Sequence, residues 1–65
     1  MITNEDRVKR LDDILPYYPE DQHTNLIDLL ADAMHWCRLN DVNFHEVLRI
    51  AEMHFAAEAN EACKP

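Results

Sequence analysis

Not one of the 65 residues is a glycine. Two-residue β-hairpin turns draw on glycine for positive φ, so a chain without it is poorly supplied for antiparallel sheet. No segment shows sustained alternation of apolar and polar residues, whereas the helical spacing of apolar residues recurs three times. The chain is therefore predicted to be all-α, a small three-helix bundle forming one domain over residues 1–65, with helices two and three as an antiparallel hairpin. A chain of this length hides only roughly 60% of the surface its unfolded form exposes. Domains this small draw on disulfides, a metal, association or unusually good helix packing.

The first helix is predicted over residues 4–14. Thr3 stands as N-cap with Asp6 three residues on, and Val8, Leu11 and Leu15 form a narrow apolar stripe with Ile14 beside it. Pro16 ends it, because the residue before proline avoids the α region. Pro16-Tyr17-Tyr18-Pro19 is then an extended or turning connector. Helix two is predicted over residues 22–39, with Asp21 and Thr24 competing as its cap. Leu26, Leu30, Ala33, Met34 and Cys37 share one face, flanked by Ile27, Leu29 and Trp36. The apolar arc covers roughly 220°, where a surface helix needs only about 100°. Helix two is therefore expected at the centre, contacted from two sides. Asn40 is the candidate left-handed residue at its end. Helix three is predicted over residues 44–60, with Asn43 as N-cap, Glu46 at N3, and Val42 and Val47 as a hydrophobic staple. Phe44, Val47, Leu48, Ala51 and Phe55 are its expected buried face, and its alanine-rich end, 56–62, is expected to fray. The short link 40–43 makes helices two and three neighbours, and helix one packs across that hairpin.

Thirteen carboxylates against six Lys and Arg give a net charge of −7. This argues against direct binding to nucleic acid or to an anionic membrane. No apolar run approaches the roughly 18 residues of a membrane span, and MITNEDRVKR is no hydrophobic signal segment. The expectation is a soluble, cytoplasmic protein. Cys37 and Cys63 are too few for a disulfide framework and read as reduced thiols.

Catalysis fails on inventory. There is no serine, no glycine-rich phosphate loop, and no sequence context that would activate either cysteine. A chain of this size has little room for a substrate cleft of ~300 Å³. Carboxylate pairs at Asp12 and Asp13, or Asp28 and Asp32, read as surface rather than acid–base groups. His23, His35, His45 and His54 form no zinc spacing; the nearest local pair is His54 with Glu58. No enzyme activity, cofactor or metal is expected. His54 falls inside the apolar arc of helix three and is expected half-buried at the rim of the core. A helix-turn-helix is excluded because helix three offers Arg49 alone against Glu46, Glu52 and Glu58.

Two features remain. Between Leu11 and Cys37 there is no Lys or Arg, yet Asp12, Asp13, Glu20, Asp21, Asp28 and Asp32 all lie there. Asp28 and Asp32 are one turn apart, roughly 6 Å, on the polar side of helix two with Asn25 and His35. That spacing is comparable to phosphates along a nucleic-acid strand. Tyr17 and Tyr18, set between prolines, are expected to be presented together, and tyrosine is a favoured interface anchor.

The run LIDLLADAMHWCRLNDVNFHEVLRIAEMHFAAE, residues 26–58, looks like the core of short proteins carried by phages and plasmids: an acidic helix ending in a Trp-Cys turn, then an Asn-Phe start to the next helix. In size and charge the chain resembles anti-CRISPR and anti-restriction inhibitors. That resemblance implies an acidic inhibitor in the cytoplasm of a host bacterium, engaging a basic nucleic-acid-binding surface of a defence complex. Its expected partner-binding residues are Asp12, Asp13, Tyr17, Tyr18, Glu20, Asp21, Asp28 and Asp32. The competing expectation, from the wide apolar arc of helix two and the apolar surplus of helix three, is a self-associating, antitoxin-like or regulatory helical adaptor, working as a homodimer.

Overall fold

The computed structural model describes residues 2–62. Three helices, α1 (Asn4–Ile14), α2 (Gln22–Leu39) and α3 (Phe44–Ala62), succeed one another, with a 3-10 turn at Leu15–Tyr17 between the first two and no strand among the described residues. The protein is a small all-α three-helix bundle. Cys63, expected as a reduced thiol, lies with Lys64 and Pro65 outside the described residues; Cys37 is a free, buried thiol.

Local chemistry sets the helix ends. Thr3 and Asp6 form a reciprocal capping box: the Asp6 N–H donates to Thr3 Oγ1 at 3.1 Å and the Thr3 N–H donates to Asp6 Oδ2 at 2.9 Å. Asp21, not Thr24, caps α2. Its carboxylate accepts from the Thr24 N–H and from the Thr24 hydroxyl, both at 3.0 Å. Asn43 caps α3 through Glu46 N–H at 3.1 Å. The end of α2 differs from expectation. Asp41, not Asn40, takes the left-handed conformation, with φ 57°. Its N–H donates to Arg38 O, and the Val42 N–H donates to Cys37 O, which together make a Schellman closure. Asn40 stays near the helical region because its own N–H and its Nδ2 both donate to Trp36 O.

At 1.5 Å per residue, α2 and α3 are about 27 and 28 Å long. Laid end to end they would exceed the 41 Å long axis of the molecule. The chain therefore reverses at Asn40–Asn43, and the two helices touch close to that turn. Farther out they diverge, because α1 stands across their open ends. At one end of α1, Asn4 Nδ2 donates to Glu58 O at 3.2 Å and Arg7 pairs with Glu58 at 3.4 Å. At the other, Leu15 O accepts from Asn25 Nδ2. Asn25 and Glu58 are equally far in sequence from the turn, so the bundle is a V with α1, about 16 Å long, as its crossbar.

This placement leaves the core open. Leu15 and Cys37 are the buried apolar residues among those described, and Asn25 is buried with them. The expected buried face of α3 is not buried: Phe44 is half-buried, while Val47, Leu48, Ala51 and Phe55 are exposed. On α2, Leu26, Leu30 and Met34 are exposed too, so the helix is touched at its ends rather than from two sides along its length. His54 is exposed, not at the rim of a core. The physical reason is the crossbar. An eleven-residue helix anchored at the far tips of α2 and α3 holds them apart and cannot cover their inner faces.

Candidate functional site

Two surfaces carry the features singled out by the sequence. The first is acidic and lies about the start of α2. Here the expected partner residues separate into distinct jobs. Asp13 is held by Lys9, whose Nζ lies 3.0 Å from Oδ1. Asp21 is committed to its cap, and the hydrogen bond from the Thr24 N–H, ahead of that from its hydroxyl, holds the Asp21 carboxyl below the usual aspartate range. The Glu20 N–H donates to Asn25 Oδ1, while its carboxylate is free to face solvent. Asp12 is exposed with no partner among the described hydrogen bonds and ion pairs.

Tyr17 and Tyr18 are not presented together. Tyr17 is 87% exposed. Tyr18 turns back, and its hydroxyl donates to Asp32 Oδ2 at 2.6 Å. That hydrogen bond, with desolvation and the charges of Asp32 and Asp28, pushes the Tyr18 phenol above its ordinary pKa. Tyr18, Asp28 and Asp32 are thus brought together, with Asp28 half-buried and Asp32 exposed.

Periodicity places Asn25 on the polar side of α2 with Asp28 and Asp32. It is instead only 3% exposed. Its Nδ2 donates to Leu15 O, Tyr18 O and Glu20 O at 3.2, 3.1 and 2.9 Å, and its Oδ1 accepts from Glu20 N–H at 3.0 Å. One amide therefore satisfies the backbone of the whole connector and fixes where Tyr17, Tyr18 and Glu20 stand. The one signal for it in the sequence is an amide a turn after a proline-bounded connector, whose carbonyls need donors.

The second surface is apolar. Phe44, Leu48, Ala51 and Phe55 recur at three- and four-residue spacing on α3, and that stripe runs on to Glu58 and Ala59, which meet α1. On α2 the matching stripe is Leu26, Leu30, Met34 and Cys37. At the closed end of the V, Met34, Cys37 and Phe44 from these stripes join Ala31, His35, Arg38 and Val42 to wall an open groove of about 430 Å³. A smaller one of about 230 Å³ lies between α1 and α3, against Val8 and Phe55. The first exceeds the volume expected of so short a chain; it runs along α2 beside the turn, with Phe44 as its lining residue from α3. Phe55 is 71% exposed and Trp36 61%.

On α3, Arg49 is bound to Glu46, with Nη2 to Oε1 at 2.6 Å, while Glu52 is exposed. Among the described residues no three His, Cys, Asp or Glu side chains converge on a point, and no helix is long and apolar enough to cross a membrane. Comparison with family models, curated protein sequences and solved structures returns no match.

Proposed function

We propose that the protein is a non-catalytic protein-binding module whose working surface is the apolar lining of the open V. The observation that carries this is the exposure of the α2 and α3 stripes, among them Leu26, Leu30, Met34, Val47, Leu48 and Phe55. Soluble chains rarely leave a contiguous apolar area of this extent uncovered unless something docks there. The stretch around the turn, residues 33–50, carries no net charge to oppose that docking.

A second reading keeps the resemblance to anti-CRISPR and anti-restriction inhibitors. It is favoured by the Tyr18–Asp28–Asp32 cluster, which would meet a basic DNA-binding surface of a defence complex while Asp12, Glu20 and Tyr17 contact its edge. The two readings separate in one experiment: capture of partners from nuclease-treated bacterial lysate, over a salt series, with paired variants. Loss of capture in Met34→Glu and Phe55→Glu, with little dependence on salt, supports the apolar surface. Loss in Asp28→Lys/Asp32→Lys, with capture weakening as salt rises, supports the acidic one and rejects the first.

A further inference from the structure

We infer that the occupant of the open V is a second copy of this chain, joined through a two-fold, antiparallel interface; this rests on the apolar surface being the working one. The first argument is area. The chain exposes 5843 Å², whereas a compact monomer of 7.7 kDa exposes about 4,300 Å². The surplus of roughly 1,500 Å² per chain corresponds to about 3,000 Å² in a pair, within the range of obligate homodimers. A standard transient partner covers roughly 800 Å² a side and would leave about half of the surplus in water.

The second argument is fit. The crossbar α1 holds the tips of α2 and α3 roughly 16 Å apart or slightly more. A helix packs on each neighbour at 8–10 Å, so one helix slotted between two others needs about 16–20 Å. Because α1 closes the mouth, an arm of the second copy lies along the open face of the V, over the gap between α2 and α3, and the second V receives an arm in return. Such mutual insertion is what an isologous interface requires: the same surface gives and receives. Met34 on α2 and Phe55 on α3 lie on the inserted faces.

The third argument is charge, and it selects the orientation. Between Ala33 and Ile50, around the turn, Arg38 and Arg49 cancel Asp41 and Glu46. Outside that stretch the described residues carry eleven carboxylates against Arg7, Lys9 and Arg10, so the negative charge lies toward the open end. A parallel pair would bring both acidic ends together. An antiparallel pair sets each against the neutral turn of its partner and separates the acidic ends along a molecule 41 Å long, far beyond the ~8 Å Debye length at physiological salt.

The test is the mass of the untagged wild-type chain by light scattering and sedimentation equilibrium, from low to high micromolar. The expected result is twice the 7.7 kDa chain mass, with pairing that holds or tightens as salt screens the like charge of the two copies. Met34→Glu and Phe55→Glu should each weaken pairing by about tenfold or more, the size of an interface hot spot, and Tyr17→Glu should not. Circular dichroism checks that the variants keep their helices; the wild-type mass decides whether or not they do. A single-chain mass over the whole range overturns the inference. If that monomer still captures another protein through Met34 and Phe55, the binding reading stands and the second copy alone is rejected. A dimer indifferent to both substitutions also overturns it.

Discussion

Asn25 satisfies four backbone groups of the Leu15–Glu20 connector with one side chain, so its removal strands several polar groups in a half-buried place. Asn25→Ala is expected to cost about 2–4 kcal/mol of stability by urea denaturation, since each stranded group costs about 1–3 kcal/mol before relaxation. Asn25→Asp keeps the shape but turns an acceptor toward three carbonyl oxygens, and should be no better than alanine. Asp41 carries the left-handed turn where glycine is the usual occupant. Asp41→Gly should therefore raise stability by about 1 kcal/mol, and Asp41→Val should lower it. Here the sequence was half legible: it pointed to this turn, but not to the pull of Trp36 O that keeps Asn40 helical and passes positive φ to its neighbour. Titration follows the same residues. The carboxyls of Asp6 and Asp21 are lowered, each first by a hydrogen bond from a backbone N–H in its own cap. Their contribution is full above about pH 4, the ordinary aspartate range, and is lost as pH falls through the depressed values. Tyr18 runs the other way. Its raised pKa means its contribution is full below about pH 10 and is lost as pH rises through the folded value. A phenolate titration of wild type against Tyr18→Phe should show this late-ionising group; a Tyr18 that ionises at the free tyrosine value would contradict the hydrogen bond to Asp32.

Helix ends were readable because caps are local. Thr3 with Asp6, and Asn43 with Glu46, act within four residues, so no tertiary knowledge is needed to see them. Helix faces are a different matter. Period 3.6 shows that Phe44, Leu48, Ala51 and Phe55 share a side, but not whether anything covers that side. What leaves it open is a tertiary detail, the Asn4–Arg7–Glu58 junction that pins α1 to the tip of α3. Asn25 misleads for the same reason, since a polar residue on a polar stripe is ordinarily solvated. Two substitutions separate the closed part of the molecule from the open part. Leu15→Ala empties a buried site beside the connector and should cost about 2–4 kcal/mol at any protein concentration. Phe55→Ala should cost little in dilute protein, where the ring is in water, and more as the concentration rises.

Across the whole molecule, a V braced at its mouth by a short helix explains both the radius of gyration of 13.8 Å, against about 10.7 Å for a compact chain of this length, and the scarcity of buried apolar side chains. Stability in so small a domain is a thin margin, and inner faces left in water contribute little to it. The central claim is that this core is completed by association with a second copy. Because a partner that binds only the folded chain stabilises it by mass action, the most direct measurement is the thermal unfolding midpoint of the wild-type protein alone across a wide dilution series. The midpoint should rise steadily with protein concentration and should lose that dependence in Phe55→Glu. A midpoint that stays constant across the series would contradict the claim and identify the open V as a self-sufficient monomer.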